Sequence, residues 1–150
     1  MREDTALIAL DWGTSSLRAY AMGEGGAVLE TRRSEHGVMH LPTGPGIDTP
    51  AAAFEATLQG LCGDWLTAHP DTPLIACGMV GSAQGWREAA YVPVPTGLGQ
   101  LASRATAVPL SALGGPFDGK VLRILPGLIE HGELPNVMRG EETQIFGALL

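Results

Sequence analysis

Five apolar residues in a row, Ala6-Leu7-Ile8-Ala9-Leu10, run into an acid and then into Trp12-Gly13-Thr14-Ser15-Ser16. The run is too short for a helix and lacks polar alternation, so it predicts a strand covered on both faces, in the middle of a sheet. A central strand needs neighbours on both sides. Residues 16–22 alternate in character and predict a returning strand. Gly23-Glu24-Gly25-Gly26 then turns the chain into a third strand over 27–32. The chain therefore opens with a meander whose first tight turn carries Asp11, Gly13, Thr14 and Ser15.

Beyond the meander the period changes. Phe54, Leu58, Leu61, Cys62, Trp65 and Leu66 recur at helical spacing, with Thr49 placed as an N-cap, Pro50 near the first helical position and Pro70 past the end. A helix over 50–69 leads directly into the apolar stretch 73–78, so a crossover to a parallel neighbouring strand is expected. Residues 81–107 mix glycines, prolines and short apolar runs, with a weak helix near 98–105. A further strand over 121–125 stops at Pro126-Gly127. Met138, Ile145, Phe146 and Leu149 predict a last helix over 137–150. This order predicts one α/β domain over 1–150 of ribonuclease-H-like type: a five-stranded mixed sheet with helices on both faces.

Composition narrows the partners. A net charge of −7 with one lysine, Lys120, among nine basic residues offers no basic stripe, so no nucleic-acid partner is expected. A small anion needs no such stripe, because backbone amides can hold it. No apolar run approaches the ~18 residues of a membrane span, and the start carries Glu3 and Asp4, so a cytoplasmic protein without a membrane partner is expected. Cys62 and Cys77 lack metal-knuckle spacing and read as reduced core residues. The four histidines show no metal-ligand spacing.

Three clusters carry chemistry. In the first, Gly13 permits close backbone approach, Thr14 and Ser15 can donate to phosphate oxygens, and Asp11 at the strand end can hold Mg2+. As a local motif this is an ordinary β-turn; its position directly after a buried strand favours the phosphate reading. The second, Gly78-Met79-Val80-Gly81-Ser82-Ala83-Gln84-Gly85-Trp86-Arg87, follows the carboxyl end of a parallel strand, where open α/β sheets bind ligands. Gly81, Ser82, Trp86 and Arg87 are candidates for substrate contact there, while a surface loop with Trp86 as a packing residue fits equally well. In the third, Arg139-Gly140-Glu141-Glu142-Thr143-Gln144, acids in a first helical turn ordinarily complement the helix dipole. In the functional reading one of them is a general base for a hydroxyl attacking a γ-phosphate, and Glu141 is chosen for its place beside the glycine turn.

With these clusters in this order, the chain resembles the 2-dehydro-3-deoxygalactonokinase family of the sugar kinase/hexokinase/actin superfamily. The residues that carry the resemblance are Ile8 to Arg18, Gly78 to Ser82 with Gly85-Trp86, Leu125-Pro126-Gly127, and Met138 to Gln144. The resemblance implies ATP-dependent phosphorylation of 2-dehydro-3-deoxy-D-galactonate at its 6-position, with ATP and Mg2+ as cofactors. It puts Asp11, Gly13, Thr14 and Ser15 at the phosphates and Glu141 at the base. Related kinases usually carry aspartate at that base position. Arg18, Arg87 and Arg139 are unranked candidates for the substrate carboxylate. It also implies that 1–150 is the amino-terminal half of a two-domain kinase, whose carboxy-terminal half supplies a second phosphate loop and the adenosine pocket; a homo-oligomer is compatible. Such a half is expected to bind nucleotide weakly and to phosphorylate little. Two alternatives stand beside this: a phosphohydrolase of the exopolyphosphatase kind, and a noncatalytic actin-like half-domain.

Overall fold

A computed structural model describes residues 5–141. Strands β1 (Thr5–Trp12), β2 (Leu17–Gly23) and β3 (Val28–Ser34) form the antiparallel meander, in the register Asp11↔Arg18 and Arg18↔Arg33. Helix α1 (Pro50–Ala68) comes after a long loop. The Thr49 hydroxyl accepts from the Ala52 amide at 3.1 Å, and Pro50, which has no N–H to lose, occupies the first position. The helix crosses over to β4 (Leu74–Cys77), which pairs parallel to β1 with Asp11 opposite Cys77. The expected meander, helix, cap, crossover and parallel partner all match the structure.

Residues 81–107 resolve into β5 (Val92–Pro93), α2 (Leu98–Ser103) and the start of β6 (Thr106–Leu110). Then come β7 (Lys120–Ile124), β8 (Leu128–Glu130) and β9 (Asn136–Met138). The main sheet has six strands in the order β3-β2-β1-β4-β7-β6, rather than the five expected. The extra strand, β6, runs antiparallel to β7 at the edge, with Pro109 opposite Val121. Proline interrupts the strand pattern in sequence, yet an edge position tolerates its missing N–H. A second sheet, β5-β8-β9, was not expected either, because strands of two or three residues are too short to show a period. It overturns the helix start at 137: Val137 pairs with Ile129 in β9, and of the described residues from 137 on only Glu141 has helical backbone. The rest of that expected helix, 142–150, and with it part of the second helical layer, lies outside the described residues.

The core lies between one face of the main sheet and α1. Ile8, Leu10, Trp12, Leu17, Ala19 and Ala21 share it with Phe54, Leu58, Cys62, Trp65 and Leu66. Each large side chain there contributes about 1.5–3 kcal/mol through removal from water. Two polar devices fix the helix. Arg32 of β3 grips Asp64 through two bonds of 2.6 and 2.8 Å and lies 4.3 Å over the Trp65 ring. Glu55, 1% exposed, accepts the amides of Ala112 and Leu113 at 2.8 and 3.3 Å, which removes the cost of an unpaired buried carboxylate. Cys62 and Cys77 are buried and not joined in a disulfide, and burial pushes Cys62 up to about 12. Among the described residues no helix is long and apolar enough to cross a membrane.

Candidate functional site

The turn between β1 and β2 closes when the Gly13 amide donates to Ser16 O at 2.9 Å. A second layer of backbone braces it. Val38 N donates to Gly13 O at 2.9 Å, Met39 N to Thr14 O at 3.0 Å, and the Trp12 indole to His36 O at 3.1 Å. Gly37 makes this possible: a methyl there would fall 2.4 Å from Thr14 O, Ser15 C and Ser16 N. Sequence reasoning missed Gly37, whose one signal was a lone glycine in an aperiodic stretch. By contrast, a methyl on Gly13 would meet only Ser16 O, at 3.6 Å, so packing within the protein does not demand glycine there.

The polar side chains of this turn are uncommitted. Thr14 and Ser15 are exposed, and neither hydroxyl bonds to another described residue. The half-buried Asp11 carboxylate likewise has no hydrogen bond or ion pair among them. With Arg18, Asp11 lines an open cleft of about 370 Å³ on the sheet face away from α1. An acid at a strand end with both oxygens available can hold a hard cation together with phosphate oxygens and water.

The loop after β4 starts against this acid. Gly78, at φ 96°, lies so close that a methyl would come within 2.9 Å of Trp12 O and 3.4 Å of Asp11 Oδ1. Gly140, at φ 108°, closes from the other side, where a methyl would be 3.2 Å from Gly78 Cα. The three sequence clusters therefore meet at Gly78. Glu141, next to Gly140, is exposed, and its Oε2 accepts the Arg139 amide at 3.0 Å, while no described residue bonds Oε1.

Further along, the second loop is occupied with itself. The Ser82 hydroxyl donates to Met79 O at 2.7 Å and accepts from Gln84 N at 3.3 Å. Gly81 is buried beneath Arg139. The Trp86 ring stacks on Phe54 at 5.2 Å and 10°, and meets Trp12 edge-on at 6.0 Å. Arg87 is exposed and donates to Ala107 O at 3.2 Å. Arg139 donates from Nη2 to Ala89 O at 2.7 Å and lies 4.3 Å over the Tyr91 ring. The structure thus brings Asp11, Gly13, Thr14, Ser15, Arg18 and Glu141 to the sheet end and its adjoining face, while the side chains of Ser82, Trp86 and Arg139 are turned to internal partners.

The sequence profile of the 2-keto-3-deoxy-galactonokinase family matches residues 11–150. A Rhizobium meliloti protein named as a probable 2-dehydro-3-deoxygalactonokinase is 44% identical over 93% of this chain and 41% of its own length. The Escherichia coli 2-dehydro-3-deoxygalactonokinase is 39% identical over 94% and 41%. A crystal structure from Sinorhizobium meliloti, provisionally given the same name, superposes with a TM-score of 0.69 at 42% identity, covering 95% of this chain and 42% of its own. The chain spans about two-fifths of the length of the curated relatives it matches. By profile, by identity and by fold, the chain belongs to the 2-keto-3-deoxy-galactonokinase family.

Proposed function

We propose that this chain is the phosphate-holding part of an ATP-dependent kinase that phosphorylates 2-dehydro-3-deoxy-D-galactonate on its 6-hydroxyl. The observation that carries the proposal is the pairing, at one sheet end, of an Asp11 carboxylate with Thr14 and Ser15 hydroxyls that no described residue engages, in a chain of this family. The Thr14 and Ser15 amides and hydroxyls take the nucleotide's phosphate oxygens, and Gly13, whose own amide closes the turn, leaves room for their close approach. Asp11 holds Mg2+, which when bound neutralises charge on the phosphates. Among the described residues no cluster of three or more acids, histidines or cysteines could cage a metal. A lone carboxylate suits Mg2+, which keeps most of its water and uses phosphate oxygens as ligands.

Glu141 is the base. Its Oε2 is held by the Arg139 amide, so Oε1 takes the proton as the sugar hydroxyl attacks the γ-phosphorus and the bond to the bridging oxygen of ADP breaks. Arg18, exposed on the same cleft as Asp11, supplies the positive charge for the substrate carboxylate. The loop bearing Gly81, Ser82, Trp86 and Arg87 forms the wall beside it. The strand order β3-β2-β1-β4-β7, with β6 as an addition, suits a ribonuclease-H-like half of actin type. The remaining length of the relatives suits a second half carrying the adenosine pocket. This reading places the kinase in the cytoplasm, where ATP and sugar acid are both present.

The test is the dependence of ADP release on the sugar acid. The kinase containing this chain, given ATP and Mg2+, should release ADP only when 2-dehydro-3-deoxy-D-galactonate is present and should yield its 6-phosphate by phosphorus NMR. ADP release indifferent to the sugar acid would sink the reading.

A further inference from the structure

Arg139 has the chemistry of a substrate arginine but not the access. Its Nε and Nη1 are buried and find no hydrogen-bond partner among the described residues. The group is enclosed by the protein's own atoms. The guanidinium lies over Tyr91 at 4.3 Å, and Nη2 donates to Ala89 O at 2.7 Å. Nη1 sits where a methyl on Gly81 would come within 2.8 Å of it and also of Ile124 Cγ2. Tyr91 is itself fixed from behind. A methyl on Gly127 would fall 2.7 Å from its ring and 2.6 Å from Met138 O, so only glycine lets the ring lie there. Ala89 is tied to the same loop, its amide donating to Gly81 O at 2.8 Å.

These contacts link two pieces: the chain from the loop after β4 to Tyr91, and the strand pair β8-β9 with the Arg139-Gly140-Glu141 corner that follows it. A guanidinium whose donors the described residues use only in part is a costly group to enclose. Its placement makes sense through what it holds. The Arg139 main chain donates to Glu141 Oε2 at 3.0 Å, and the next residue, Gly140, rests on Gly78 beside Asp11. We infer that Arg139 is a positioning residue: its buried guanidinium, clamped between Tyr91, Ala89 and Gly81, fixes the Gly140-Glu141 corner against Gly78 and so sets the base relative to the phosphate turn. The inference rests on the proposed function for the word base, but the clamp does not depend on the reaction.

A misplaced reacting group costs up to about 100-fold in rate while leaving binding contacts intact. In the kinase containing this chain, Arg139→Met should therefore lower kcat by about 10- to 100-fold, with KM for ATP and for the sugar acid within about threefold. Arg139→Lys, which can still lie over Tyr91 and reach Ala89 O, should recover part of the lost kcat. Tyr91→Leu should act in the same direction, and the double variant should be little worse than Arg139→Met alone, because both break one clamp. If Arg139→Met does not fold, Arg139→Lys and Tyr91→Leu carry the test. A rise of about tenfold or more in KM for the sugar acid with kcat preserved would make Arg139 a substrate ligand instead. Unchanged kcat in the folded variants would equally overturn the inference. Amide exchange reads the clamp without any turnover: protection at Arg139 should fall in Tyr91→Leu. If the wild-type protein transfers no phosphate, the proposed function fails, while that loss of protection still supports the clamp and its absence refutes it.

Discussion

The turn after β1 and the loop after β4 lie side by side at the same sheet end, yet they treat their polar groups in opposite ways. Around Gly13 the backbone is braced through Gly13 N and the carbonyls of Gly13 and Thr14, while the Asp11, Thr14 and Ser15 side chains are left free by the described residues. From Gly78 to Arg87 the side chains are engaged in holding the loop, Ser82 on Met79 O and Trp86 on Phe54. The difference teaches how to separate a grip from its mounting. A surface that meets a ligand keeps rigid backbone and free donors; a surface that shapes the site turns its donors inward.

The largest effects should break the first region. Asp11→Asn should lower kcat by at least about 10³-fold, because a metal ligand acts on several kcal/mol of transition-state charge, while the melting temperature stays near wild type. Steady-state kinetics beside calorimetry check both halves of that statement. Glu141→Gln should cost about 10²-fold or more in kcat with little change in KM, as expected for a proton acceptor. A parallel rise in KM would argue that Glu141 only binds.

Two glycine variants sharpen the contrast between grip and brace. Gly37→Ala places a methyl 2.4 Å from three backbone atoms and should destabilise the fold by about 1–3 kcal/mol or more, read by urea unfolding. Gly13→Ala meets nothing nearer than 3.6 Å, so the fold should stay intact while KM for ATP rises. An unchanged KM there would remove Gly13 from the phosphate site. In the second region, Ser82→Ala should cost about 1 kcal/mol of stability through its lost hydrogen bonds.

The smallest effect lies far from the site. The Arg32 guanidinium holds the Asp64 carboxyl below its ordinary range. A depressed carboxylate stabilises the fold above its unfolded pKa of about 4, and that contribution is lost as pH falls through the folded value. Because Asp64 is largely exposed, Asp64→Asn should cost only about 0.2–1 kcal/mol near pH 7, shrinking towards zero as pH falls through the lowered carboxyl value.

What the sequence determined by itself is local or periodic. An unbroken apolar run specified β1, a helical period with Thr49 and Pro50 specified α1, and the glycine and acid clusters marked the pieces of the site. Those signals survive in one dimension because neighbours along the chain enforce them. The edge strand β6, the short sheet β5-β8-β9 and the strand where a helix was expected at 137 were decided by cross-strand partners that leave no period in segments so short, Val121 for Pro109 and Ile129 for Val137. So were the roles of the glycines and of Arg139. Gly37 exists for the backbone of Ser15, Gly81 for the guanidinium of Arg139, and Gly140 for Gly78. A missing methyl is visible in sequence; the atom that needs its space is visible only in three dimensions.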